Sequence, residues 1–455
     1  MACPVRPLRA LLAVVLVAGL VLASVAPARA TNATNLLGYS AASQGMAGAG
    51  SVALTDISII NTNIATLSLM PNNPDRDPDS AISGGFAGFN LGVLQPYLHH
   101  TDVFGERGGE NNPFIAIHGG AAFRLRSLPQ VTFGLGVFSQ SGLGSEFKGL
   151  RTAFGTSDEI TSYERFVKLQ SAISYEVVDG FSLAIGPYLG YADLTLQMFP
   201  RTSAPAAGFF GLAIGDRCAR NYGVGEPGSD CPWTVVGGVK VATTWRITPQ
   251  LTAGVVYTSP GSFAFDHGEG RVDFTSLGLG RVKYDVSVSG ITHPQNVQMG
   301  FAFRPFERLL LALDLTWHDW SVFRGFTIKL RHPDTPGAPK QIDLFTREDW
   351  RDQFVIALGA AYELIPGFLT VRGGYNYANN PSPSATFTPA IQVPFEHHLA
   401  TGAGLKLGKR WEVDGGFIWG FEKKVTYTNN SLPFGPDATE KPSGFSVDVT
   451  VGYRF

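Results

Sequence analysis

The last twelve residues, Gly444–Phe455, alternate between apolar and polar side chains. The apolar positions are Phe445, Val447, Val449, Val451, Tyr453 and Phe455. The other face carries Ser446, Asp448, Thr450, Gly452 and Arg454. Because successive side chains of a β-strand point to opposite faces, this segment predicts a strand with one apolar and one polar face. A soluble β-sandwich could bury such an apolar face, so the segment alone does not exclude that fold.

The same alternation recurs upstream, most clearly at 181–191, 309–317 and 411–421. Segments of about ten residues that alternate in this way, separated by turn residues, are the signature of an outer-membrane β-barrel. The predicted fold class is therefore all-β, a transmembrane antiparallel β-barrel of about 14 strands. The predicted strands are 81–97, 113–126, 130–140, 161–177, 180–197, 232–247, 250–259, 281–304 (with a break near Gly290–Pro294 that leaves the count open), 308–320, 350–364, 367–378, 396–408, 410–427 and 443–455.

The connections between these segments alternate between short and long. Short turns rich in Pro, Gly and Asp are predicted at 126–130, 178–180, 247–250, 304–308, 365–367 and 408–410. Long loops are predicted at 98–112, 141–160, 198–231, 260–281, 321–349, 379–395 and 428–442. Short turns at one rim and long loops at the other are typical of outer-membrane barrels. This arrangement predicts that both chain ends lie on the periplasmic side.

Residues 1–30 have the pattern of a secretory signal peptide. Arg6 and Arg9 precede an apolar run over residues 10–25, and the small residues Ala28 and Ala30 predict cleavage after Ala30. An uncleaved anchor is the alternative, but a spanning helix needs about 20 apolar residues and this run is shorter. Export combined with the barrel pattern predicts the bacterial outer membrane as the location.

The composition suits a wall between lipid and a narrow lumen. Aromatic residues make up 12% and charged residues only 16% of the chain, whereas about 25% of an ordinary globular protein is charged. Residues 31–455 carry 32 basic and 37 acidic side chains, a net charge of −5, because three of the 35 basic residues lie in the signal segment. Without a basic stripe, nucleic acid is not an expected partner.

Two cysteines, Cys218 and Cys231, remain when the signal segment is removed. In an exported protein such a pair predicts a disulfide, here closing a Gly/Pro-rich loop, and two free thiols are the alternative. The histidine pairs at 99–100 and 397–398 lack the spacing of a metal site and are predicted to be solvated at the loop rim. No metal, cofactor or catalytic residue is predicted.

Residues 31–80 do not alternate like strands and contain small residues with isolated apolar ones. This composition predicts a compact plug inside the lumen, which leaves residues 81–455 for the barrel.

Three stretches carry a recognisable family pattern: 43–56 (SQGMAGAGSVALTD), 61–67 (NTNIATL) and 133–144 (FGLGVFSQSGLG). Together with the strand layout and the terminal Phe455, they resemble the FadL-type family of outer-membrane transporters for long-chain fatty acids and other hydrophobic compounds. The first two stretches are similar to the Gly/Ala-rich hatch and Asn-Pro-Ala motif of that family, with Ile64 in place of the proline, which removes its fixed φ. The hatch positions are Gly45, Gly48, Asn61, Asn63 and Ala65.

The resemblance implies a passive channel that captures a hydrophobic ligand at the outer loops and passes it to a site in the lumen. It also implies release sideways through a gap in the wall. The candidate capture residues are Phe199, Phe209, Phe210, Leu212, Ile214, Phe263 and Phe265, which could instead pack loop against loop. The candidate exit residues are Gly134, Gly136, Phe138, Gly142 and Gly144, which could instead pack tightly against the plug.

Two other functions remain open at this point, a barrel enzyme that hydrolyses lipids and a water-filled porin for polar solutes. The expected partners are hydrophobic small molecules such as fatty acids or hydrocarbons, and outer-membrane lipids. The barrel-assembly machinery is expected to bind through the terminal Phe455, and the protein is expected to be a monomer.

Overall fold

The computed structural model describes residues 31–73, 79–215, 230–391 and 395–455. The predicted signal peptide and Cys218 lie outside these residues. Within them, no helix is both long and apolar enough to cross a membrane.

The chain is built almost entirely from strands. In chain order they are β1 (Thr31–Asn32), β2 (Asn35–Leu36), β3 (Ile82–Tyr97), β4 (His99–Asp102), β5 (Gly105–Gly108), β6 (Phe114–Leu125), β7 (Val131–Arg151), β8 (Ser157–Val178), β9 (Phe181–Ala204), β10 (Phe209–Ile214), β11 (Trp233–Arg246), β12 (Leu251–Thr258), β13 (Gly261–Phe274), β14 (Gly280–His293), β15 (Asn296–Phe306), β16 (Leu309–His318), β17 (Gly325–Arg331), β18 (Gln341–Arg347), β19 (Gln353–Ile365), β20 (Leu369–Ala378), β21 (His397–Leu407), β22 (Trp411–Gly420), β23 (Val425–Tyr427), β24 (Ala438–Glu440) and β25 (Ser443–Arg454). The α-helices are Ala41–Gly45 and Ser58–Asn61, and the 3-10 helices are Ile64–Leu69, Pro205–Ala207, Thr275–Leu277 and Trp320–Val322.

The strands close into a ring of antiparallel pairs. Going round the wall, each strand pairs with the next in the order β3, β6, β7, β8, β9, β11, β12, β15, β16, β19, β20, β21, β22 and β25. The last strand, β25, then pairs with β3 along its whole length, from Ser443–Tyr97 to Arg454–Phe86. A closed ring has no open sheet edge, which is what a membrane-spanning sheet requires.

Two more strands, β13 and β14, pair with each other. In the chain, β13 directly follows β12 and β14 directly precedes β15, so this pair extends the wall beyond those two strands. With them the main ring has 16 strands, so the predicted count of about 14 is not confirmed. The difference lies at 260–281, which was predicted to be a loop but forms β13 and the start of β14. The predicted loops 141–160 and 198–231 are also wrong in part, because β7, β8 and β9 extend into them.

The six predicted short turns lie where consecutive strands of the wall meet, and each predicted turn contains a glycine or a proline, although Pro305 belongs to the end of β15. The long connections all leave from the opposite end of these strands. The ring therefore has a short-turn rim and a long-loop rim.

The wall exposes apolar side chains on its outward face and buries polar ones on its inward face, the reverse of the arrangement in a soluble protein. Leu189 and Val235, on the outward face, are each 59% exposed, whereas the inward Asp448 and Thr450 are 4% and 3% exposed. Water would disfavour a continuous band of such exposed apolar side chains, while lipid solvates it. The predicted alternation of the final strand is thus confirmed, with its apolar face outward and its polar face inward.

The amino-terminal segment, residues 31–73, contacts the inward faces of strands on opposite sides of the ring. Ser40 caps its first helix, accepting a hydrogen bond from the Ser43 backbone N–H at 3.1 Å. Its polar contacts with the wall include Ala41 to Thr450, Gln44 to Asp448, Ser51 to Asp314, Asn63 to Thr243, Thr66 to Thr244 and Ser68 to Ser174. Most of its side chains are buried.

Candidate ligand-binding site

A cavity of about 770 Å³ lies at the long-loop rim. Its walls come from the upper parts of β8 and β9, from β10, from the start of β13 and the end of β14, and from the segments at 320–351, 383–391 and 428–432. The lining is mostly aromatic and aliphatic. This size and composition match the concave, largely apolar pockets that bind small molecules.

The seven candidate capture residues lie in one hydrophobic cluster at this rim. Phe199, Phe209, Phe210, Leu212 and Phe263 line the cavity. Ile214 and Phe265 are fully buried behind them and do not belong to the lining. The rings of Phe199 and Phe209 lie 5.8 Å apart, and those of Phe263 and Phe265 lie 5.7 Å apart.

Much of the apolar lining comes from parts of the chain that the sequence interpretation did not consider. It includes Trp320, Phe323, Phe326, Trp350, Ile391 and Leu432. A signal existed for those in loops, because the connections 321–349, 379–395 and 428–442 carry apolar side chains just as 198–231 does, whereas Trp320 and Trp350 were predicted at strand ends. The interpretation applied the criterion of apolar loop residues only to 198–231 and 260–281.

Polar groups are few in the cavity wall. The indole N–H of Trp350 donates to Oε2 of Glu348 at 2.9 Å. Burial raises the pKa of Glu348 to about 8, against the smaller lowering effect of this hydrogen bond. Arg347 and Arg351 are exposed and therefore lie at the mouth of the cavity.

A second and smaller cavity of about 110 Å³ contains mostly polar side chains. His293 lines both cavities, so the two adjoin. In the smaller one, the ammonium group of Lys240 donates to the backbone carbonyls of Asn61 and Thr62. Lys168 lies over the ring of Tyr188, 5.2 Å from its centroid. The apolar cavity thus gives way to a polar lumen below it.

The five hatch residues all lie in the amino-terminal segment. Asn63 accepts a hydrogen bond from the Ala65 backbone N–H at 3.0 Å and so caps the 3-10 helix that follows. Its amide also donates to the wall, at the Thr243 carbonyl. The Asn61 amide donates to the side chain of Gln140 at 3.0 Å. The cap therefore forms without the family proline.

The two hatch glycines meet different requirements. A Cβ at Gly45 would lie 2.9 Å from the Cα of Gly402 in the wall, a distance that only glycine allows. Gly48 has a φ of +85°, in the left-handed region that favours glycine.

The ladder between β6 and β7 ends before β7 does. The pairing of these strands runs as far as His118 with Phe138. Beyond it, the Ile117 backbone N–H donates to the hydroxyl of Ser139 at 3.2 Å instead of to a backbone carbonyl. The register of β7 against β8 shifts between Ser139 and Ser141. A local break in the wall therefore lies between β6 and β7.

The candidate exit residues Gly134, Gly136, Phe138, Gly142 and Gly144 all belong to β7. The ring of Phe138 covers Gly136, and the ring of Phe114 covers Gly142, where an added Cβ would lie 2.7 Å and 2.6 Å from them. Gly134 contacts Leu67 of the amino-terminal segment, as the alternative of tight packing predicts. Aromatic side chains therefore close the break in this state.

Of the four histidines predicted to be solvated, His100 and His398 are buried, so the prediction is wrong for these two, whereas His99 and His397 are accessible to solvent. His100 is 1% exposed and contacts Glu440 at 2.5 Å and Asp102 at 3.2 Å. Burial lowers the pKa of His100, but the two carboxylates outweigh it and raise the pKa to about 9. His398 is also fully buried.

The cluster around His100 fastens a separate four-stranded sheet, in the order β23, β24, β4 and β5, beside the cavity. Tyr427 of β23 completes the cluster by donating to Glu440 at 3.1 Å. Cys231 forms a disulfide, and Cys218, its predicted partner, is outside the described residues. Those residues contain no group of three or more potential ligands placed to hold a metal ion.

A closed antiparallel wall with an apolar outer face and an apolar cavity at one rim defines an outer-membrane transport barrel. A family model for outer membrane protein transport protein (OMPP1/FadL/TodX) matches residues 19–455, so the chain belongs to this family. The resemblance inferred from sequence is confirmed. The family consists of transport proteins and not of enzymes. A comparison with curated proteins yields no significant match.

Solved structures share the fold at low sequence identity. The toluene transporter TodX of Pseudomonas putida is 19% identical over 92% of this chain and 99% of that one, with a TM-score of 0.73. A FadL homologue of Pseudomonas aeruginosa is 17% identical over 92% and 99%, with a TM-score of 0.71. The toluene transporter TbuX of Ralstonia pickettii is 19% identical over 92% and 99%, with a TM-score of 0.68.

Proposed function

We propose that this protein is an outer-membrane channel for the passive uptake of hydrophobic compounds, either long-chain fatty acids or hydrocarbons. The observation that carries the proposal is the cavity of about 770 Å³ with its aromatic lining. The transfer of an apolar molecule from water into such a cavity is favourable by a free energy of about 25 cal/mol for each Å² of apolar surface that is buried. The two toluene transporters among the structural relatives support the same class of ligand.

In this proposal, the ligand is first captured at the long-loop rim, which faces the cell exterior. The capture residues are the aromatic and aliphatic side chains of β9, β10 and β13, together with Trp320 and Trp350. Their position at the mouth of the barrel supports this role, because any solute entering from outside meets them first.

The second element of the proposal is that residues 31–73 are a plug. Their polar contacts with β8, β11, β16 and β25, and with other strands around the ring, support this role. Between a plug held in this way and the upper cavity lies the small polar cavity of about 110 Å³. A porin for polar solutes would instead need a continuous water-filled lumen.

The third element is lateral release between β6 and β7. The interrupted ladder above His118 and Phe138 supports it, since no backbone hydrogen bonds have to break there. The rings of Phe138 and Phe114 would move aside to admit the ligand to the lipid. In the assembled membrane, the outward apolar face contacts lipid, and the barrel-assembly machinery is proposed to bind the terminal strand through Phe455.

Uptake by cells tests the function. Cells with and without the gene are compared for uptake of labelled oleate and labelled toluene at low external concentration. The proposal predicts faster uptake of at least one of them when the gene is present. Equal uptake of both, and of every other apolar solute tried, would refute it.

A reversible crosslink tests the exit. The double variant Ile117→Cys with Ser139→Cys places a disulfide across the break, and Ala121→Cys with Leu135→Cys places one across the intact ladder of the same two strands. Oxidation should slow uptake only in the first variant, and a reductant should restore it. If both variants, or neither, respond to oxidation, release does not occur through this part of the wall.

A further inference from the structure

Two buried polar atoms in the cavity wall lack a hydrogen-bond partner among the residues that the structure describes. They are Oε1 of Glu348 and the indole Nε1 of Trp320. The side chains are 1% and 3% exposed, and both residues belong to the cavity lining. Buried polar groups in folded proteins are nearly always paired, so two unpaired ones in the wall of an apolar cavity require an explanation. A ligand that supplies the missing partners provides one.

Neighbouring contacts hold these two groups in one patch. The indole N–H of Trp350 donates a hydrogen bond to Oε2 of Glu348, so Oε1 is the oxygen that lacks a partner. The rings of Trp320 and Trp350 lie 4.8 Å apart, and Phe323 packs edge-on to Trp350 at 5.2 Å. The aromatic packing restricts the side chains to this arrangement.

The chemistry of the two atoms limits what they can bind. An indole N–H only donates, so the ligand must offer an acceptor. The raised pKa of Glu348, about 8, keeps its carboxyl group mostly protonated at neutral pH. A protonated carboxyl group can either donate or accept at Oε1. A hydroxyl or carbonyl oxygen satisfies both groups, whereas a plain hydrocarbon satisfies neither.

The charges around the cavity argue against an anionic ligand head. The buried ionisable side chains of the lining are Glu164, Glu348 and His293, with two acids among the three. The guanidinium groups that could pair with a carboxylate, those of Arg347 and Arg351, belong to exposed residues. A desolvated carboxylate in the interior would therefore have acidic neighbours and no buried arginine or lysine of the lining to pair with.

We propose that the cavity selects apolar ligands that carry one neutral oxygen-bearing group, such as a phenol or an alcohol, and that Trp320 and Glu348 bind this oxygen. The inference rests on the proposed uptake of hydrophobic compounds, and within that function it favours a neutral oxygen-bearing ligand over both the hydrocarbons and the ionised fatty acids named there. A hydrocarbon with the shape of such a ligand would leave the polar groups of Trp320 and Glu348 unpaired. The cavity therefore discriminates against that hydrocarbon.

The test compares p-cresol with p-xylene, which differ by a hydroxyl in place of a methyl group. Binding of each labelled compound to the full-length purified protein in detergent is measured by scintillation proximity. Trp320→Phe removes the N–H and keeps an aromatic ring, and Glu348→Leu removes both oxygens. Each variant should lower the ratio of p-cresol affinity to p-xylene affinity by about three- to ten-fold, the worth of one hydrogen bond. Trp233→Phe, on the outer wall, should leave the ratio at its wild-type value.

Two further measurements separate the proposal from competing explanations. Glu348→Gln preserves a neutral donor and acceptor, so it should retain a higher ratio than Glu348→Leu. The anion 4-methylbenzoate should bind at least about ten-fold more weakly than p-cresol, because its carboxylate would be desolvated without a partner. Heat-modifiable migration on gels confirms that each variant is folded.

The outcomes are distinct. If Trp320→Phe and Glu348→Leu leave the affinity ratio unchanged, or 4-methylbenzoate binds as tightly as p-cresol, the inference is overturned. Binding of p-xylene would in that case still support the hydrophobic channel. If the wild type binds neither p-cresol nor p-xylene and cells take up no apolar solute, the proposed function itself fails.

Discussion

Removing the carboxylate of Asp314 should loosen the amino-terminal segment and open the barrel to ions. This buried side chain in β16 accepts three hydrogen bonds from the segment: from the Gly50 backbone N–H at 2.9 Å, the Ser51 backbone N–H at 3.0 Å and the Ser51 hydroxyl at 2.7 Å. Each hydrogen bond to a charged group stabilises by about 1.5–3 kcal/mol. Because the three share one carboxylate and are not additive, we expect Asp314→Ala to cost about 3–5 kcal/mol.

A loss of this size shifts the equilibrium between a seated and a released segment by roughly two to three orders of magnitude. In planar bilayers, the wild type should be nearly silent and Asp314→Ala should show frequent open events. Ser51→Ala removes only one of the three contacts and should have an intermediate effect of about 1 kcal/mol. Asp343→Ala, on an exposed hairpin, is the matched control.

The reasoning would be refuted if Asp314→Ala conducted no more than the wild type and kept the same heat-modification temperature. That result would mean that packing of the small apolar residues, and not the polar contacts, holds the segment in place. An increase in conductance for Asp343→Ala as well would point to a general effect of lost charge.

Two other predictions concern a pH dependence and a cap. The pKa of His100 is about 9 in the folded state, above its ordinary value of 6.5. The charged His100 therefore stabilises the four-stranded sheet fully below pH 6.5, and this stabilisation is lost as the pH rises through 9. Amide exchange at 99–102 and 438–440, corrected for the intrinsic rate, should therefore rise by pH 10, with up to about 3 kcal/mol lost, and His100→Gln should flatten this dependence. Asn63→Ala should destabilise the amino-terminal segment by about 0.5–2 kcal/mol because the 3-10 helix loses its cap, whereas Asn63→Ser keeps a capping oxygen and should lose less; the heat-modification temperature of the two variants measures the difference.

The membrane-embedded part of the wall could be predicted from sequence because its two faces have different solvents. Lipid outside and a polar interior impose a period of two on every strand, and short turns join the strands in pairs at one rim. The residues of β25 show this directly, with Val449 and Val451 outward and Asp448 and Thr450 inward. Both the alternation and the turn residues are local properties of the sequence.

The extended upper strands could not be predicted because this difference disappears above the membrane. In β9, the four consecutive residues Leu194, Thr195, Leu196 and Gln197 are all buried, since loops cover both faces of the strand there. A strand buried on both sides has no alternation to detect. The segment 198–204 was therefore assigned to a loop, although it continues β9.

The cavity itself depends on contacts between distant loops, which no local pattern specifies. Trp320 and Trp350 meet because the helix Trp320–Val322 and the end of the β17–β18 hairpin fold against each other. Single apolar residues in a long loop indicate only that something covers them. Which loop covers which is decided by the complete set of contacts.

The order of the two cavities bears on where a ligand can leave the barrel. The upper cavity is lined by aromatic rings, whereas the lower one presents Lys168, Lys240 and amide side chains. An apolar ligand that moved straight down would leave its aromatic surroundings and displace the hydration of these polar groups, at a cost in both steps. The break in the β6–β7 ladder begins just above Phe138 and borders Gln140, which lines the lower cavity. An exit into lipid at that level would spare the ligand the passage through the rest of the polar lumen, which is the physical reason to expect the crosslink across Ile117 and Ser139 to slow uptake.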